Sequence, residues 1–120
     1  MAIDALKIND MVFYAFHGLE SCEKAQGQRF EVDVELALDL SHAGNSDRIE
    51  DTIDVNAVYE IIEEVVLEGD FNLVEAVAEH IAASLLNKVN INEVRVRVRK
   101  PHAPLKGLTG GIEVEIQRTA

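Results

Sequence analysis

Three side chains of this 120-residue sequence stand where chemistry is possible. Lys100 ends the run Val94-Arg95-Val96-Arg97-Val98-Arg99, immediately before Pro101. Successive strand residues point to opposite faces, so Lys100 continues the valine row and not the arginine row. A lysine that starts on the buried side of a sheet either snorkels out to solvent or works as a general base or proton shuttle. Pro101 and Pro104 stiffen the segment that leaves it. Glu75 stands near the start of a helical pattern, three residues after Asn72. The plain reading of that spacing is a capping box, with Asn72 as cap and Glu75 reaching back to the cap's N–H. The functional reading is a carboxylate favoured by the helix dipole. Such a group can accept two parallel hydrogen bonds from a guanidine-like ring edge, as carboxylates do from arginine. Glu23 follows His17-Gly18 in a loop and, taken alone, is an ordinary exposed glutamate.

Other chemistries find little support. No glycine-rich phosphate loop opens a helix, and no serine has a G-x-S-x-G context. Cys22 is the single cysteine, and the four histidines, His17, His42, His80 and His102, include no i, i+4 pair, so no metal site is expected. The formal net charge is −11, from 22 acidic and 11 basic side chains. That balance repels phosphate backbones, so no nucleic-acid partner is expected, while a small uncharged substrate remains open. No apolar run approaches the roughly 18 residues of a membrane span, and no secretory signal is visible. One cysteine forms no intrachain disulfide and fits a reducing compartment, so a cytoplasmic location is expected.

These residues need elements to position them. The length reads as a single domain, residues 1–120, and 48% hydrophobic content is enough for a core. Residues 4–16 read as a first strand, irregular near Asn9-Asp10. Residues 29–40 alternate Phe30, Val32, Val34, Leu36 and Leu38 with Glu31, Asp33 and Glu35, a second strand. The stretch between them is a loop or a short turn of helix. Val55, Val58, Ile62 and Val65 or Val66 recur at helical spacing, with Gly69 as a stop. Leu73, Val74, Val77, Ile81 and Leu85 form the apolar stripe of a second helix. Strands at about 91–100 and 110–118 follow, the last with Ile112, Val114 and Ile116 facing inward. The order predicts an α+β fold: an antiparallel four-stranded sheet with two helices on one face. The other face carries acids on the second and fourth strands and Arg95, Arg97 and Arg99 on the third. It is either a solvated face or the charged inner wall of a ring of subunits whose sheet edges join.

The stretches "FYAFHGLESCEKAQGQRFEVDVEL", "DLSHAGNSDRIEDTID", "NLVEAVAEHIA" and "VRVRKPHAP" cover nearly the whole chain in order. Together they make it resemble the dihydroneopterin aldolases of folate biosynthesis. The resemblance implies the tunnelling fold, a β-β-α-α-β-β unit that assembles into rings, a homo-tetramer or two rings stacked as a homo-octamer, with active sites between subunits. It implies a pterin substrate, cleaved by retro-aldol reaction to 6-hydroxymethyl-7,8-dihydropterin and glycolaldehyde. It implies no cofactor, no metal and no lysine Schiff base, because the dihydropterin ring accepts the electrons. By the same resemblance Glu75 grips the pterin's 2-amino and N3–H edge, with the Val74 backbone beside it. Glu23 lies near the polyol side chain, and Lys100 takes the proton of the 2′-hydroxyl, directly or through water.

One position departs from the family pattern. Where the family has a tyrosine, contributed by the neighbouring subunit, "DTIDVN" has Val55. Its backbone can still touch the ring, but a valine has no proton to give; water or Tyr59, one turn on, would have to substitute. Slow reprotonation of the enamine would let oxygen intercept it. Oxygenation is therefore one alternative to aldolase turnover, and epimerisation of dihydroneopterin or its triphosphate another. A non-catalytic pterin-binding oligomer is the alternative of a different class.

Overall fold

The computed structural model describes residues 4–103, 106–107 and 110–120. Pro104 lies outside the described residues. The element order is β1 (Asp4–Ala15), α1 (Ser21–Gln26), β2 (Gln28–Leu38), α2 (Ser41–Ser46), a 3-10 turn (Ile49–Asp51), α3 (Val55–Glu68), α4 (Val74–Lys88), β3 (Glu93–Lys100) and β4 (Ile112–Thr119). The four strands form one sheet in the order β1-β2-β3-β4, and every neighbouring pair is antiparallel. The chain is thus the expected α+β unit, with α1, α2 and the 3-10 turn added in the connections. The expected irregularity of β1 is a register shift between Ile8 and Met11. There Asp10 takes a left-handed backbone, φ 57°, and its N–H donates to Asp33 Oδ1 at 2.7 Å.

Strand alternation builds the core. Val32, Val34 and Leu36 of β2 and Val94, Val96 and Val98 of β3 are fully buried beneath Val58, Ile62 and Val66 of α3 and Val77, Ile81 and Leu85 of α4. Three expected core positions are not core. Val55 is 44% exposed and Leu73 47%, because each sits at a helix start that overhangs the sheet. Ile112 shares the parity of Val114 and Ile116 but is 36% exposed, since β4 is an edge strand that the helices cover only partly. Gly69 ends α3 as expected, yet its φ of −78° is not the left-handed conformation that favours glycine. Space is the reason: a Cβ there would lie 2.2 Å from the Phe71 ring.

The second face is an ion-pair lattice. Register sets Glu31 opposite Arg99, Asp33 opposite Arg97 and Glu35 opposite Arg95, and on the other side Arg99 opposite Glu113 and Arg97 opposite Glu115. Arg97 reaches Glu35 at 2.5 Å and Glu115 at 3.3 Å. Arg99 reaches Asp33 at 2.7 Å, Glu31 at 3.1 Å and Glu113 at 3.1 Å. Hydrogen bonds from Arg99 outweigh burial, and with those from Asp10 N–H and Arg97 they hold the Asp33 carboxyl far below the ordinary range. An arginine column between two acid columns satisfies like charges that would otherwise repel within each strand.

Candidate active site

The short helix α1 decides what Glu23 does. Glu20 precedes it, and the Glu20 N–H donates to Glu23 Oε1 at 3.1 Å, turning the side chain back towards the helix start. Gly18 packs on that carboxylate so closely that a Cβ would lie 2.4 Å from Glu23 Cδ. The side chain is therefore directed inward, and Glu23 is only 6% exposed. The plain expectation of a solvated loop glutamate fails here, because α1 folds the loop over the end of the sheet.

What Glu23 meets inside is Lys100. Lys100 Nζ donates to Glu23 Oε2 at 2.5 Å, and both side chains are buried. Gln28, the first residue of β2, donates its amide N–H to the same oxygen at 2.8 Å. The reverse amide orientation would set two acceptors against each other, so only the N–H fits. Burial alone would raise the Glu23 pKa. The hydrogen bonds from Lys100, Gln28 and Glu20, with the charge of Lys100, outweigh burial and lower it below the ordinary glutamate value. Lys100 thus does not snorkel: it extends the valine row of β3 into a buried ion pair. An open cleft lies beside the pair, lined by Cys22, Glu23, Gln26, Gly27, Gln28 and His102.

The expected capping box at α4 does not form. Leu73 is the residue before the helix, with extended φ and ψ, and makes no side-chain cap; its carbonyl accepts the N–H groups of Ala76 and Val77. Asn72 lies one residue too early and is exposed. Glu75 is consequently exposed in the first helical turn, beside buried Val74. Five residues, Gly69–Leu73, join the end of α3 to this start, and segment 17–24 holds the turn at Phe71: Gly18 N–H and Lys24 Nζ both donate to the Phe71 carbonyl, at 3.1 and 3.0 Å. The Val74–Glu75 start thus follows a turn bonded to the loop that carries Glu23.

Val55 is not part of this grouping. It begins α3, whose far end carries Val66 and leads into the Gly69 turn. At 1.5 Å per residue, Val55 is about 16 Å along the helix from Val66. Tyr59 lies one turn on from Val55, partly exposed, with its ring 5.6 Å from that of Phe13. Gln28, Gly18, Lys24 and His17 belong to the site's frame but were not singled out above. Their role comes from partners distant in the chain, and only the juxtaposition of Gly18 with Glu23 carries even a weak signal in the sequence.

The sequence model of the FolB dihydroneopterin aldolase family matches residues 6–117. The chain is 37% identical over 117 residues to the dihydroneopterin aldolase of Bacillus subtilis, covering 97% of this chain and 98% of the relative. Its fold is similar to that of a Vibrio cholerae protein described as a putative dihydroneopterin aldolase, with TM-score 0.92, 29% identity and full coverage of both chains. It is also similar to E. coli dihydroneopterin aldolase in complex with neopterin, with TM-score 0.88, 29% identity and coverage of 97% and 99%.

Proposed function

We propose, for a chain that belongs to the dihydroneopterin aldolase family, that it cleaves the C1′–C2′ bond of 7,8-dihydroneopterin. The observation that carries the reading is the buried 2.5 Å contact between Lys100 and Glu23 at the edge of an open cleft. Burial of an ion pair costs desolvation, and a surface position would have avoided it. Glu75 and the Val74 backbone grip the pterin edge, and Glu23 and Lys100 face the polyol. The 2′-hydroxyl gives its proton to Lys100 as Lys100 passes one of its own to Glu23, so the pair gains one proton in total. The C1′–C2′ electrons move to C1′ and into the C6–N5 imine, giving an enamine and free glycolaldehyde. Protonation at C1′ then yields 6-hydroxymethyl-7,8-dihydropterin.

Val55 bears on assembly and on that last step. Its separation from Val66 along α3 means that one chain does not bring it to the Lys100 end. A site that uses both draws Val55 from a second copy, in line with a tetrameric or octameric ring in the cytoplasm. A valine supplies no proton to the enamine, and this favours oxygen interception as the second reading.

The test is incubation with 7,8-dihydroneopterin with and without air, with products separated and identified. Equal 6-hydroxymethyl-7,8-dihydropterin in both supports the aldolase. An oxidised pterin formed only in air supports oxygenation of the same intermediate, and no conversion in either overturns both.

A further inference from the structure

His17 is buried, at 3% exposure, and has no part in the chemistry above. We propose that His17 is a positioning residue of the same reaction: it ties the loop that carries Glu23 to the turn that delivers Val74 and Glu75. It thereby sets the spacing between the proton-accepting pair and the pterin grip. The inference rests on the pterin-cleaving reading, which makes both ends of the tie functional.

The ring bridges two backbones. His17 Nε2 lies 2.7 Å from the Val66 carbonyl at the end of α3, and Phe71 N–H donates to Nδ1 at 3.2 Å. A carbonyl only accepts and a backbone N–H only donates, so Nε2 carries the proton and Nδ1 is bare. The ring packs between Phe30 and Phe71, with centroids 5.4 and 5.1 Å away. The next residue reinforces the tie, since Gly18 N–H donates to the Phe71 carbonyl at 3.1 Å. Lys24 adds two bonds, to the Phe71 carbonyl at 3.0 Å and to Asp70 at 2.6 Å. The turn's backbone is therefore held on both polar sides of Phe71 by segment 17–24. Gly18 and Lys24 flank Glu23 in space and in sequence, and Val74 follows Phe71 by three residues.

The tie is sensitive to one proton. Protonated Nδ1 would confront Phe71 N–H with a second donor. Burial disfavours that form and Lys24 on α1 adds to it; the Val66 carbonyl and Asp70 of the turn favour it. Burial dominates and lowers the pKa below the ordinary value. From β2 the ring meets Phe30, and His80 of α4 stands behind Phe71, 4.8 Å from its ring.

The experiment compares wild type, His17→Phe, His17→Gln and Lys24→Met. It reads neopterin Kd, KM and kcat for 7,8-dihydroneopterin, and amide hydrogen exchange across residues 69–75. His17→Phe keeps the ring contacts and loses both hydrogen bonds. Its Kd and KM should rise about ten- to a hundredfold, as expected for a grip displaced by an ångström, with faster exchange at Phe71. His17→Gln, with a donor and an acceptor, should recover most of the affinity. Wild type should show a rise in KM as pH falls below the ordinary histidine range, and His17→Gln should lose it. Unchanged Kd and KM in His17→Phe, with only a lower Tm, would reduce His17 to core packing. Should His17→Phe not fold, Lys24→Met decides: a severalfold rise in Kd supports the tie and an unchanged Kd overturns it. A wild type that neither binds neopterin nor turns over defeats the pterin reading instead, a failure visible before any variant is made.

Discussion

Replacing Lys100 with methionine preserves most of the apolar stem and removes the ammonium. Glu23, 6% exposed, would then be buried with two donors in place of three: Gln28 at 2.8 Å and Glu20 N–H at 3.1 Å. Removing one partner of a buried pair typically costs about 3–5 kcal/mol. Hydrogen bonds to a charged group are each worth about 1.5–3 kcal/mol, and two survive. The expected loss for Lys100→Met is therefore about 2–3 kcal/mol at neutral pH. At roughly 4 °C per kcal/mol for a chain of this size, Tm should fall by about 8–12 °C. The pH dependence has a definite sign. In wild type the folded pKa of Glu23 is lowered, so its contribution is present above the unfolded value of about 4.3 and lost as pH falls through the folded value. Without the ammonium the strongest lowering influence is gone and burial opposes ionisation. The variant's deficit is then largest at neutral pH and shrinks on acidification, as Glu23 takes up a proton. Thermal unfolding by circular dichroism across about pH 4 to 8 reads this directly. Turnover should fall by about 10²–10⁴, the usual worth of a general acid–base group, while neopterin Kd changes little. A variant with wild-type Tm at neutral pH and kcat within about tenfold of wild type would refute the reasoning.

Glu75 is exposed, so Glu75→Gln should leave Tm unchanged; isothermal titration with neopterin should show a Kd raised about 10- to 100-fold, the value of a hydrogen bond to a charged group. Gly18 has φ 149° and no room for a Cβ beside Glu23. Gly18→Ala should cost about 1–3 kcal/mol in a denaturant titration and displace Glu23, with turnover falling more than neopterin binding. Val55→Tyr restores a phenol at the start of α3. The aerobic product mixture should shift towards 6-hydroxymethyl-7,8-dihydropterin, and an unchanged mixture would show that proton supply does not depend on this position.

The sheet was legible because its signals are local. Alternation in 29–40 and 93–100 specifies two faces without reference to any partner, and the opposed acid and arginine rows specify which strands can neighbour one another. Helix interiors were equally plain, since Val58, Ile62, Val77, Ile81 and Leu85 follow the helical period and are all buried. Helix starts were not. Asn72 and Glu75 have capping-box spacing, yet α4 begins after Leu73, because tertiary bonds to the Phe71 carbonyl and N–H anchor the preceding turn. A local cap is worth about 1 kcal/mol, less than several tertiary hydrogen bonds acting together.

The parity of Lys100 was written in the sequence, and with it the question of why a charge should occupy an inward row. The answer was not, because Glu23 is 77 residues away along the chain and has the spacing of an ordinary loop glutamate. Only the folding of α1 over the end of the sheet, with Gly18 and Gln28 closing round the carboxylate, brings the two charges within 2.5 Å. His17 illustrates the same division: one histidine among four carries no periodic signal, and its two backbone partners, Val66 and Phe71, lie 49 and 54 residues away. Periodicity records which way a side chain points from its own element. What it meets there depends on packing between elements distant in sequence, and that was decided by the tertiary structure.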